Sequence, residues 1–132
     1  MGAQVKLIRE DSLRAVEDGY AFDVRLNWYR SLPLSSVDIV SVKLDGEPVS
    51  IDQIAFEING HQYSQAKLLE QYEEFWFVQD FAVLHVSQPG KVNAGEMHTL
   101  EAEISLRFPY MNIGPGKFLT NVTQFTSTQV AH

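Results

Sequence analysis

The chain is 132 residues long, the size of a single domain, and its 45% hydrophobic and 20% charged residues rule out general disorder. Cys is absent, which removes disulfides, thiol nucleophiles and thiolate metal sites together. Ten Lys and Arg against 17 Asp and Glu give a net charge of −7 with no basic cluster, so no nucleic acid partner is expected.

The opening MGAQVKLIREDSLR contains no apolar stretch of signal-peptide length, and no run in the chain approaches a membrane span. Lys6 stands where N-myristoylation needs Ser or Thr. The expectation is a soluble cytoplasmic protein with no membrane attachment.

Period-two alternation dominates the rest of the chain. Tyr20, Phe22, Val24, Leu26 and Trp28 are apolar while Asp23, Arg25 and Asn27 alternate with them, the pattern of a strand with one dry face. Over Val37–Leu44 the phase slips: Val37 and Ile39 agree, then Val40, Val42 and Leu44 take over. A bulge near Ile39-Val40 would restore both sets to one face, and burial on both faces is the alternative. Asp45-Gly46 and Asn59-Gly60 lie between apolar runs and predict tight hairpins, since these residues tolerate positive φ. Ile54, Phe56 and Ile58 mark a shorter strand.

Gln65–Glu74 is the one helical segment, with Ser64 as N-cap and Leu68, Leu69 and Tyr72 on one stripe. Phe75–Val86 (FWFVQDFAVLHV) reads as a single long central strand. Turns close at Gln88-Pro89-Gly90 and Asn93-Ala94-Gly95. His98, Leu100, Ala102, Ile104, Leu106 and Phe108 resume the alternation, and the Thr-rich tail TNVTQFTSTQV supplies the last strand. About eight short strands and one short helix predict an all-β domain over 1–132, an antiparallel β-sandwich or flattened barrel.

No short motif carries chemistry. Among His61, His85, His98 and His132, no pair has the spacing that sets two imidazoles on one face, so no metal is expected on this chain. Glu96 and His98 share a strand face, but two ligands make a weak site. Gly114-Pro115-Gly116-Lys117 lacks the long glycine frame of a phosphate loop, and Phe118 stands where Ser or Thr would hold magnesium; it reads as a turn. Glu73, Glu74 and Asp80 read as a solvated face. Aromatic residues are more informative. Trp28, Tyr29, Phe75, Trp76, Phe77, Phe108 and Tyr110 exceed what one face of a small sandwich needs, and neighbours in a strand point to opposite faces. An exposed aromatic patch marks a partner or ligand surface. A strand buried on both faces is the plain alternative.

The strings GYAFDVRLNWYRSLPLSSVDIVSVKLDGEPV, FEINGHQYS, EEFWFVQDFAVLHV, HTLEAEISLRFPYM and GPGKFLTNVT, in this order from Ser12 to Thr128, resemble the beta subunits of C-glycoside deglycosidases. LNWYRSLPLSSVD and PYMNIGPGK are the most distinctive of them. The resemblance implies one subunit of a heterodimer or higher heteromer. Its partner would be a larger alpha subunit similar to TIM-barrel sugar-phosphate isomerases, holding a divalent metal (Mn2+ or Mg2+) and the general base. The implied reaction is carbon–carbon lysis of a C-glycoside whose sugar 3-hydroxyl a separate oxidoreductase has already made a ketone. No catalytic residue is then expected on this chain.

The aromatic excess becomes a subunit interface drawn from Trp28, Tyr29, Trp76 and Tyr110. The loop expected at Pro109–Lys117 becomes a candidate substrate-proximal segment. In it Tyr110 and Met111 offer polarizable surface to an aromatic aglycone, Asn112 a hydrogen bond to sugar or phenol oxygen, and Lys117 a charge for a phenolate. An ordinary inter-strand connection is the bland reading. Two rival functions stand beside this one. A free-standing carbohydrate-binding module would use Trp28 or Trp76 as a sugar platform. A self-contained enzyme would pair Asp23 or Glu57 with His61.

Overall fold

The structure, a computed structural model, describes residues 7–26, 31–114 and 117–132, with side chains at 7–26, 31–107, 120 and 122–132. In chain order the strands are β1 (Arg14–Val16), β2 (Gly19–Arg25), β3 (Leu32–Pro33), β4 (Val37–Leu44), β5 (Glu47–Pro48) and β6 (Ile54–Ile58). Next come β7 (His61–Tyr63), a helical turn α1 (Gln65–Leu68), β8 (Phe75–Trp76), β9 (Phe81–Val86), β10 (Met97–Gly114) and β11 (Lys117–Val130). Three of the 11 described strands are two-residue pieces, so eight are of three residues or more, as the alternation predicts.

Every described pairing is antiparallel. A five-stranded sheet runs β1-β2-β9-β6-β7, a four-stranded sheet runs β11-β10-β4-β5, and β3 pairs with β8 alone. None of these described sheets closes into a barrel. One core joins their inner faces: Phe22, Val24, Phe56 and Leu84 of the larger sheet, Val37, Val42, Leu100, Ile104 and Leu106 of the smaller, and Trp76 of the pair. The sandwich form of the expectation holds. Among the described residues no helix is long and apolar enough to cross a membrane.

The phase slip in β4 is a bulge. Ile39 faces Ile104 and Ser41 faces Glu103, leaving Val40 without a partner between them. Val40 turns outward, 47% exposed, and Ile39 and Val42 both stay in the core. The hairpin turns behave as their chemistry requires. Asp45 and Gly46 have φ of 52° and 84°, Asn59 and Gly60 of 53° and 82°, the doubly positive pattern of a type I′ turn. At Gly19 the backbone comes so close to β9 that a Cβ would lie 1.9 Å from the Val86 carbonyl oxygen. Only glycine fits there.

Three expectations need correction. The predicted helix ends at Leu68 rather than Glu74. Leu68 is buried, but Leu69 and Tyr72 are 43% and 72% exposed and share no dry stripe with it. The chain bends there because the amides of Leu34 and Ser35 take the carbonyls of Glu74 and Gln71 at 2.9 Å each. Second, Phe75–Val86 is not one strand: the Asp80 amide turns back onto the Phe77 carbonyl at 2.9 Å, separating β8 from β9. Its second half is central, flanked by β2 and β6. Third, Pro109–Gly114 is not a loop but the far end of β10.

A polar pin ties the segment before β1 to the end of β11. Gln129, 7% exposed, accepts the Ser12 and Leu13 amides at 3.0 and 2.8 Å through Oε1. Its Nε2 donates to the Arg9 carbonyl at 3.0 Å and to Ser127 Oγ at 2.9 Å. Both lone pairs and both N–H groups of this buried amide are thereby used, as burial demands.

Candidate functional site

The described surface gathers its unusual chemistry around β8. Trp76 is 1% exposed, so it belongs to this chain's own core and offers nothing to a partner or a sugar. Its indole ring meets Phe56 edge-on and its Nε1 donates to the Asp80 carbonyl at 3.0 Å. Neighbouring side chains of an extended segment point opposite ways. Burying Trp76 therefore turns Phe75 and Phe77 outward, where their rings stack 6.3 Å apart at 28°. They are 37% and 51% exposed. The alternation is readable in Phe75-Trp76-Phe77; which side faces water is not.

Glu74, just before these rings, is a hub. Its Oε1 accepts the Tyr63 hydroxyl. Its Oε2 lies 3.1 Å from Asn59 Nδ2 and 3.2 Å from His61 Nδ1. Asn59 Nδ2 also donates to the Phe75 carbonyl at 3.1 Å. Burial pushes the Glu74 carboxyl up, but the hydrogen bonds from Tyr63, Asn59 and His61 outweigh it and hold the carboxylate below its ordinary range. The same bond raises the Tyr63 hydroxyl. The period-two placing of His61 and Tyr63 on β7 is the sequence signal for this cluster, and the partner Glu74 lies 11 residues beyond Tyr63.

The other candidate acids and bases are engaged apart from one another. Asp23 is held by Arg14 at 3.1 Å and Arg9 at 3.5 Å. Glu57 meets His85 Nε2 at 2.7 Å, and that bond first, with a further one from Gln62, holds its carboxyl below the usual range. Neither is paired with His61, so the acid–base pair of a self-contained enzyme is not assembled. His98 stands between Asp45 at 2.6 Å and Glu96 at 3.3 Å, one carboxylate on each ring nitrogen. Two carboxylates placed this way favour the charged imidazolium, which donates from both nitrogens. Among the described residues no group of three or more His, Asp or Glu is placed to hold a metal ion.

Trp28 and Tyr29 lie outside the described residues. Tyr110, Met111 and Asn112 lie in the backbone of β10 and Lys117 opens β11. The β10–β4 ladder ends at Leu106↔Val37, whereas the β10–β11 ladder runs on to Asn112↔Phe118 and Gly114↔Lys117. Register shifts fall between Phe108 and Asn112 and between Asn112 and Gly114. These candidates thus share the distal part of one two-stranded arm.

Residues 3–110 match the family model of the C-glycoside deglycosidase beta subunit. A C-glycoside deglycosidase beta subunit of Arthrobacter globiformis is 36% identical over 121 residues, 92% of either chain. A 3'-dehydrocarminate deglycosidase beta subunit of a Microbacterium species is 35% identical over 108 residues, 82% of this chain and 80% of that one. A third relative, from Microbacterium trichothecenolyticum and of the first description, is 29% identical over 126 residues, 96% and 95% of the two chains. With most of its length matched in both comparisons, this chain belongs to the C-glycoside deglycosidase beta subunit family.

Proposed function

We propose that this chain is the small subunit of a heteromeric carbon–carbon lyase acting on 3-oxo-C-glycosides with aromatic aglycones. The observation that carries the reading is the match to beta subunits along nearly the whole chain, joined to an exposed aromatic pair that a subunit contact would cover. In this reading the alpha subunit is a TIM barrel that supplies the general base and a divalent metal, Mn2+ or Mg2+.

The chemistry follows from the ketone. A carbonyl at C3 acidifies the proton on C2, and a base removes it. The C2–H electron pair then forms the C1=C2 bond while the C1–aryl bond breaks. The aryl carbon keeps that bonding pair and takes up a proton. The products are the free aglycone and an unsaturated keto sugar, with no external oxidant or reductant. The distal β10–β11 arm is the part of this chain assigned to the substrate: Tyr110 and Met111 against the aglycone, Asn112 at a sugar or phenol oxygen, Lys117 at the phenolate.

Co-expression with the barrel protein and incubation with a 3-oxo-C-glycoside, followed by chromatography of the aglycone, tests this. Turnover is expected only when both chains are present. Full activity of the barrel alone, or binding of free sugar by this chain in isolation, overturns it. Replacing Tyr110-Met111-Asn112 by three Ala should leave the complex assembled and lower turnover by about tenfold or more.

A further inference from the structure

Phe75 and Phe77 are held in place before any partner arrives. Trp76 between them is locked in the core, and Leu32 pairs with it in the β3–β8 ladder. Asn59 holds the Phe75 carbonyl, the Asp80 amide holds that of Phe77, and the Val78 amide donates to Ser31 Oγ at 3.0 Å. Two stacked rings on a fixed backbone lose little freedom on docking, the condition under which buried aromatics dominate an interface. Exposed Val78 adjoins them in the chain, and Glu73 and Asp80 bring exposed negative charge to the same stretch, while Glu70 is paired with Lys67 at 3.5 Å.

We propose that the Phe75–Phe77 pair is the anchor through which this chain docks onto its alpha subunit, in an apolar recess rimmed by Lys or Arg. The proposal rests on the beta-subunit reading above. Charge favours that occupant over a second copy. An isologous contact sets the same patch against itself, which would gather Glu73 and Asp80 of both copies into one interface in a chain of net charge −7. A sugar is disfavoured too, because Asn59, which holds the Phe75 carbonyl, and its neighbours His61 and Tyr63 are already bonded to Glu74.

The test is calorimetric titration of the purified barrel protein with wild-type chain, Phe77→Ser, Phe75→Ser/Phe77→Ser, Glu73→Lys and Met97→Ser, with the melting curve of each variant. Phe77→Ser should weaken binding by about thirtyfold or more, and the double variant should abolish it. Glu73→Lys should weaken binding most at low salt. Met97→Ser, at another exposed apolar residue (66%), should bind like wild type. If the double variant unfolds, the single Phe77→Ser decides, since its ring is half in water already. Wild-type affinity in a folded Phe77→Ser chain overturns the anchor and leaves the partnership standing. No binding by the wild-type chain overturns the beta-subunit reading itself. Self-association of the wild type that Phe77→Ser removes would assign the patch to a second copy, and overturn the proposal.

Discussion

Trp76 meets Phe56 edge-on, ring centroids 5.3 Å apart and planes at 74°. This contact welds the small β3–β8 pair to the five-stranded sheet, and the geometry is the one aromatic quadrupoles favour. Trp76→Ala should destabilise the fold by about 3–5 kcal/mol, since both the ring's contacts and its volume are lost. Trp76→Phe keeps a ring but leaves the Asp80 carbonyl without its donor, so a smaller loss of about 1 kcal/mol is expected. Urea denaturation followed by circular dichroism measures both.

His98 makes stability depend on pH. Burial pushes the imidazole down, but hydrogen bonds to Asp45 and Glu96 outweigh this and raise it above its ordinary 6.5. A raised folded value means that this stabilisation is complete below the ordinary histidine value and is lost as pH rises through the folded one. Asp45, lowered by the Thr99 amide and then by His98, and Glu96, lowered by the Asn93 amide and then by His98, act oppositely. Their share is present above the ordinary carboxylate range and lost as pH falls through the folded values. The clamp is strongest in mild acid. Denaturation midpoints across pH should fall on the alkaline side for wild type, and His98→Gln should flatten that limb.

Gln129→Ala should be costly because it strands the Ser12 and Leu13 amides in a buried site. An unmet buried amide costs about 1–3 kcal/mol. A loss of about 2 kcal/mol or more is expected, with early hydrogen exchange at residues 12 to 15 as its local signature.

Deleting Val40 should be tolerated. Its removal brings Ile39 and Ser41 into regular register opposite Ile104 and Glu103, and no core side chain changes face. The melting temperature should move by only a few degrees, on the order of 1 kcal/mol. Val42→Ser, at a fully buried site two residues on, should cost several times more.

Much of the sandwich was legible because its physics is local. Alternation at Phe22, Val24, Leu100 and Ile104 reports burial directly, and Asp45-Gly46 and Asn59-Gly60 carry their own turn geometry. The bulge at Val40 was legible for the same reason. What failed depended on distant partners. Gln65–Glu74 has helical periodicity, yet the amides of Leu34 and Ser35 claim its last carbonyls. Phe75–Val86 is apolar throughout, and periodicity cannot show where such a run turns. Of the site, the aromatic excess was visible, but not that Trp76 fills the core while its two neighbours face water. No local signal couples Glu74 to Tyr63, or Gln129 to Ser12.

The Gln129 pin also bears on how the chain is made. Ribosomes deliver the sequence from its N-terminal side, and Ser12 and Leu13 precede their acceptor by 117 and 116 positions. The amides of Ser12 and Leu13, just ahead of β1 at the edge of the five-stranded sheet, therefore wait unmet until Gln129 is synthesised. Contacts so distant in sequence form slowly, and an unfinished sheet edge invites pairing with other chains. Nascent molecules of this subunit should need either chaperone cover or low expression rates until residue 129 emerges, and slower translation at lower temperature should raise the soluble yield more than added partner does.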